Sequence, residues 1–122
     1  MILSDTSIWI DHMRRADIRL VNLLKRASVL VHPFVVGEIS LGSIKEFDAV
    51  MEALLTLPKA PVANDEQVRF MIKQHDIMSM GIGYVDAHLL EATMLSEGSR
   101  FWTRDKRLKR AVEKMHIAAT LD

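Results

Sequence analysis

Short apolar runs along the chain alternate with stretches that have helical periodicity. Met1–Ser4 is typical of a buried strand, and Ser28–His32 (SVLVH) is short and β-branched, as strands are. Arg100–Thr103 (RFWT) and Ile117–Ala119 are predicted as further strands, and Pro61–Ala63 as a short one. These runs predict a sheet assembled from segments that lie far apart in sequence.

Between the strands, apolar positions recur with the period of a helix. The clearest stripe is Lys45–Leu57, with apolar residues at i, i+3, i+4, i+7 and i+8. Asn64 and Gln67 form a capping-box pattern that starts another helix. The remaining predicted helices are Thr6–Arg14, Ile18–Arg26, Pro33–Gly42, the centrally buried Tyr84–Glu97, and Lys106–Met115. Asp17 is predicted to cap the helix Ile18–Arg26. Strands alternating with helices predict an α/β fold with a parallel sheet, where ligands lie beyond the carboxyl ends of the strands.

Composition narrows the possible classes of protein. The chain has 122 residues, of which 49% are hydrophobic and 26% charged, and this predicts a single globular domain. It contains no cysteine, which excludes disulfide scaffolds, thiolate zinc sites and cysteine nucleophiles. No apolar run is long enough to span a bilayer, and no leader pattern opens the chain. We therefore expect a cytoplasmic protein with no membrane contact.

Charge is balanced overall but locally segregated. The formal net charge is zero, yet seven basic residues lie between positions 100 and 114. Such a run is either a solvated helix face or a surface for nucleic-acid phosphates, and the charge pattern alone leaves both open.

Four acidic residues fall near the predicted strand ends or helix starts. Asp5 follows the first strand, Asp105 follows RFWT, and Asp86 begins the helix after a glycine-containing break. Glu38 lies in the helix that follows SVLVH, with apolar residues on both sides. Helix capping alone would account for Asp5, Asp86 or Asp105 taken singly. Glu38 fits that explanation poorly, because desolvating a carboxylate costs free energy unless something pairs with it.

Four carboxylates in one pocket would repel one another, and at least one pKa would rise. A hard divalent cation such as Mg²⁺ removes this repulsion, and it can activate water for attack on a phosphodiester. Hydroxyl side chains at Thr6, Ser7 and Thr103 adjoin the acids and would orient them, or would serve only as turn and cap hydroxyls.

Four motifs together carry a family resemblance. They are DTSIWID (Asp5–Asp11), PFVVGEISLG (Pro33–Gly42), GIGYVDAHLLEA (Gly81–Ala92) and FWTRDKRL (Phe101–Leu108). In their order and spacing the chain resembles the PIN-domain family, and most closely the VapC toxins of toxin–antitoxin pairs. The resemblance covers nearly the whole chain.

The resemblance implies one PIN domain over residues 1–122, folded as a three-layer α/β/α sandwich with a small, mostly parallel sheet. It implies an endoribonuclease that uses Mg²⁺ or Mn²⁺ to cleave transfer or ribosomal RNA. It also implies a homodimer and a VapB-like antitoxin, in a hetero-oligomer whose antitoxin tail often points an arginine into the site. The implied catalytic and metal-binding residues are Asp5, Glu38, Asp86 and Asp105, with Thr103 as the family's hydroxyl.

With that site in place, basic residues flanking Asp105 are candidates for phosphate contact. They are Arg104, Lys106, Arg107 and Lys109. Trp9 and Trp102 could stack on bases, although their apolar surroundings favour core packing.

Two other functions remain as alternatives. A non-catalytic module that binds RNA or a partner predicts binding that survives loss of the acids. A receiver-like phosphoacceptor would need paired acids after the first strand, where Asp5 stands alone.

Overall fold

The computed structural model describes residues 1–121, which form seven helices and two strands. In chain order these are β1 (Ile2–Ser4), α1 (Thr6–Arg14), α2 (Ile18–Lys25), α3 (Pro33–Ser40), α4 (Phe47–Leu55), α5 (Asp65–Gln74), α6 (Tyr84–Leu95), β2 (Arg100–Trp102) and α7 (Lys106–Lys114). The α/β class expected from sequence is confirmed.

A small parallel sheet lies at the centre. The strands β1 and β2 pair in parallel, with Leu3 opposite Phe101. Single parallel bridges extend the pair on both sides, joining Ile2 to Val29 and Phe101 to Ala118. A further bridge joins Val31 to Lys59, so five parallel segments lie side by side within residues 1–121.

The outer strands are shorter than the sequence pattern predicts. Ser28–His32 and Ile117–Ala119 contribute only bridges, because β1 and β2 are three residues each and offer few partners. The predicted strand Pro61–Ala63 is wrong. The chain pairs just before this segment instead. Lys59 bridges to Val31, and the Ala60 amide donates to the Val31 carbonyl at 2.8 Å. The next bond of this parallel ladder would need the amide of residue 33 to donate to the Ala60 carbonyl, and Pro33 has no N–H.

Local side chains start several helices where the sequence predicts. The Asp17 carboxylate caps α2 by accepting from the Arg19 amide, and Asn64 forms a complete capping box with Gln67 on α5. Pro33 opens α3, where its missing N–H leaves no orphan donor, and the His32 ring caps that helix.

The helix α6 is central, as its apolar sequence predicts. Its buried residues are Ala87, His88, Leu89, Leu90, Ala92 and Thr93. Trp9 and Trp102 are also buried, at 6% and 1% exposure. Their packing in the core leaves neither ring available to stack on a base.

The helix α4 is less buried than its amphipathic sequence predicts. Its stripe is amphipathic, yet only Leu54 is buried, while Phe47 and Leu55 are 43% and 55% exposed. Amphipathicity identified the helix correctly but overestimated how much of its apolar face the core covers. Within residues 1–121, no helix is both long and apolar enough to cross a lipid bilayer.

Candidate active site

Asp5 lies at the junction of β1 and α1, where the chain leaves the sheet. It is buried, and one carboxylate oxygen accepts from the Ile8 amide at 3.2 Å and from the Ser7 hydroxyl at 2.7 Å. The other oxygen accepts from the Thr103 hydroxyl, which follows the neighbouring strand β2. Three donors therefore fix the orientation of this carboxylate.

Thr103 connects two of the acids. Its hydroxyl donates to Asp5 and accepts from the Asp105 backbone amide at 3.1 Å. The Asp105 carboxylate caps α7 by accepting from the Leu108 amide at 2.9 Å. Because β1 and β2 are parallel neighbours, their carboxyl ends bring Asp5 and Asp105 to the same edge of the sheet.

Glu38 is exposed, contrary to the expectation drawn from its apolar neighbours. Val35 and Ile39 are buried on one face of α3, and the helical turn points Glu38 away from that face. Its carboxylate accepts from the Thr6 hydroxyl at 2.5 Å, across 32 residues of sequence. This contact ties α3 to the first residue of α1, next to Asp5.

Asp86 is electrostatically coupled to the other three acids. Its pKa is raised from 3.8 to about 6, first by burial and then by the charges of Asp5, Glu38 and Asp105. The fold therefore brings the quartet into one region of negative potential. Across residues 1–121, however, no three His, Asp or Glu side chains converge tightly enough to form a complete metal site.

Capping explains part of this arrangement. Asp5 and Asp105 both cap helices through their side chains, so capping and a shared site coexist at these two residues. Asp86 caps nothing: Gly83 precedes α6 without a side-chain cap, and Asp86 lies in the first helical turn. Burial, together with the charges of the other three acids, accounts for its raised pKa.

The predicted RNA-contacting residues fall into two groups. Lys106, Arg107 and Lys109 are exposed at the start of α7, beside Asp105. The Arg107 side chain covers Gly81, where an added Cβ would lie 2.8 Å from its Cδ. Arg104 is only 32% exposed and forms ion pairs with Asp11 and Asp17.

Sequence reasoning missed the acidic partners of Arg104. The sequence predicts Asp17 only as a helix cap, and Asp11 only ends a motif. No local signal marks them, because Arg104 lies 93 and 87 residues away from Asp11 and Asp17.

Fold and site together define a class: a small α/β protein whose carboxylates gather at the strand-end edge of a parallel sheet, oriented by neighbouring hydroxyls. No protein-family model matches the chain. It is 45% identical over 118 residues to Ribonuclease VapC32 of Mycobacterium tuberculosis, in strains CDC 1551 / Oshkosh and ATCC 25618 / H37Rv. The match covers 97% of this chain and 95% of that protein. The chain belongs to the VapC ribonuclease family, and the resemblance drawn from its motifs is confirmed.

Proposed function

We propose that the protein is a metal-dependent endoribonuclease, the toxin of a toxin–antitoxin pair, which cleaves transfer or ribosomal RNA. The observation that carries the proposal is the gathering of the acids: the Thr103 hydroxyl joins Asp5 to the Asp105 amide, and Thr6, next to Asp5, binds Glu38. The raised pKa of Asp86, caused by burial first and by the three other acids second, agrees with it. A non-catalytic RNA-binding module gains nothing from clustered negative charge that faces phosphate. Kinship with a ribonuclease over nearly the full chain supports the same choice.

The chemistry of the donor set fits Mg²⁺ or Mn²⁺. Asp5, Glu38, Asp86 and Asp105 would hold the ion, since hard divalent cations prefer oxygen ligands. Mg²⁺ usually takes only one or two carboxylates directly and keeps several waters, so a loosely spaced quartet suits it. When bound, such an ion activates water and stabilises the leaving oxygen of a phosphodiester.

The side chains around the acids have separable roles in this proposal. Thr103 and Ser7 fix Asp5, and Thr6 fixes Glu38, so two carboxylates are oriented before a ligand arrives. Asp86 is mostly ionised at neutral pH despite its raised pKa, and a cation relieves the repulsion that it feels. Lys106, Arg107 and Lys109 would contact the RNA backbone and position it over the acids.

Partners and architecture are proposed on the same basis. A VapB-like antitoxin would insert an arginine of its C-terminal tail among the four carboxylates, where opposite charge favours it. The toxin would form a homodimer and, with the antitoxin, a hetero-oligomer. The chain would be one domain of three layers, α/β/α, which the single hydrophobic core of the described residues supports.

The test is cleavage of total tRNA and rRNA by the purified chain in Mg²⁺, in Mn²⁺ and in excess EDTA. We expect cleavage with either ion and none in EDTA. Asp86→Asn and Glu38→Gln should each slow cleavage by about a hundredfold. The matched control Glu52→Gln, at an exposed position on α4, should cleave at the wild-type rate.

Two outcomes would contradict the proposal. Cleavage that persists in EDTA would rule out the metal. RNA that is bound but never cut, with binding unchanged in the quartet variants, would make the protein a binding module.

A further inference from the structure

Arg104 lies between two residues of the candidate site but points away from it. Thr103 on one side donates to Asp5, and Asp105 on the other caps α7. The Arg104 guanidinium instead reaches Asp17 and contacts Asp11 at 3.3 Å. The backbone at Arg104 therefore belongs to the site, while its side chain is anchored to α1 and to the start of α2.

Several neighbouring groups hold Asp17, the carboxylate that Arg104 reaches, in place. Arg19 donates to both carboxylate oxygens of Asp17, at 3.2 and 3.0 Å. The Asp17 backbone amide donates to the His12 ring at 3.0 Å. Asp17 is 12% exposed in its side chain, and the pair with Arg19 above all holds the pKa of Asp17 well below its usual range.

Packing adds to these ion pairs. The Arg104 guanidinium carbon lies 5.3 Å from the ring centroid of buried Trp102, and that of Arg19 lies 5.7 Å from it. Both distances are within the range of cation–π attraction. Trp102 is the last residue of β2, so the same cluster fixes the strand end from which Thr103 emerges.

We propose that Arg104 is a positioning residue: its pairing with Asp17 holds the segment Thr103–Asp105 in the geometry that the acidic site requires. The inference rests on the proposed nuclease function and deepens it. It reassigns Arg104, which the sequence suggested as a phosphate contact, and leaves that role to Lys106, Arg107 and Lys109.

The two roles predict different kinetics. Loss of a phosphate contact raises KM, whereas loss of positioning lowers kcat with KM unchanged. We expect Arg104→Ala to lower kcat about tenfold or more, because small misplacements of reacting groups are costly, and to change KM less than about twofold. Arg104→Lys keeps the charge but lacks the fork that pairs with two carboxylates, so it should restore only part of kcat.

The decisive variant is Asp17→Asn, which removes no positive charge and keeps a good helix cap. Positioning predicts that it lowers kcat as Arg104→Ala does, and that the double variant is no worse than either single one. A phosphate contact predicts the opposite: a released Arg104 would bind RNA at least as well, and KM would stay level or fall. Arg110→Ala is the control for loss of one exposed positive charge on α7, with kcat and KM near wild type.

Hydrogen exchange of the Asp105 amide provides a readout that does not depend on activity. This amide donates to the Thr103 hydroxyl, and Arg104→Ala should speed its exchange about tenfold or more while Arg110→Ala leaves it unchanged. Unchanged exchange in folded Arg104→Ala would overturn the proposal, as would a rise in KM alone. If the wild type cleaves no RNA, the proposed function fails, and the exchange rates still decide whether Arg104 positions the segment. If Asp17→Asn does not fold, the single variants Asp11→Asn and Arg104→Lys test the same pairing through their effects on kcat and KM.

Discussion

Asp86 is ionised at neutral pH at a free-energy cost, since burial and the three other acids raise its pKa to about 6. The folded state then binds a proton more tightly than the unfolded chain, whose aspartate has the ordinary value of 3.8. Protonation of Asp86 therefore stabilises the folded state. This stabilisation is fully present below about pH 3.8 and is lost as the pH rises through about 6. Without a cation, the ionised Asp86 carboxylate therefore lowers the stability of the folded protein at neutral pH.

We therefore expect Asp86→Asn to stabilise the protein in EDTA at pH 7.5, by about 2–3 kcal/mol. The gain should shrink to about half at pH 5, where the wild-type carboxyl is mostly protonated. Urea unfolding at both pH values measures the difference. The control Asp48→Asn, in the first turn of α4 and exposed, should give no such gain. An Asp86→Asn protein less stable than wild type at pH 7.5 would contradict the coupling of the four acids.

At the scale of a single element, α3 depends on a neutral histidine. The His32 ring accepts from the Phe34 amide at 3.0 Å and is fully buried. Burial, with a smaller contribution from His88, lowers its pKa from 6.5 to about 4. Between these values the unfolded chain binds a proton that the folded chain does not, so stability falls as pH drops from about 6.5 to about 4.

We expect His32→Asn, which keeps a capping side chain, to lose less stability between pH 7 and pH 4.5 than the wild type. The difference between the two proteins should be about 2–3 kcal/mol. Denaturant unfolding of both proteins at the two pH values tests this. The same replacement at exposed His116 should track the wild type, and equal losses in all three proteins would show that His32 does not govern the acid response.

Across the whole molecule, the acids come from the β1–α1 junction, α3, α6 and the start of α7, so a bound cation would cross-link elements distant in sequence. A ligand that binds only the folded state adds about 2.7 kcal/mol at a hundred times its Kd. Mn²⁺ at that excess should raise the Tm of the wild type by about 10 °C. Asp86→Asn should lose most of this shift, and Asp48→Asn should keep it. An equal shift in both variants would mean that the ion binds outside the quartet.

The sequence predicted which segments form helices better than it predicted how far the strands extend or how deeply a helix is buried. Helix starts such as Asp17 and the Asn64–Gln67 box depend on residues within one turn, and they stand where the sequence placed them. Strands depend on partners elsewhere, and Pro61–Ala63 was wrong because nothing local reveals how far a neighbouring strand extends. The α4 stripe shows the same limit, since periodicity gives the apolar face of a helix but not what covers it.

The sequence by itself determined the helix starts, the absence of thiol chemistry, and the motifs that carry the four acids and the family. These are properties of residue type and short-range spacing. Only the tertiary structure decided that Glu38 is exposed and bound by Thr6, that Asp86 feels three other charges, and that Arg104 pairs with Asp17. The physical reason is distance along the chain: each of these interactions joins side chains that only the packed sheet and helices bring together.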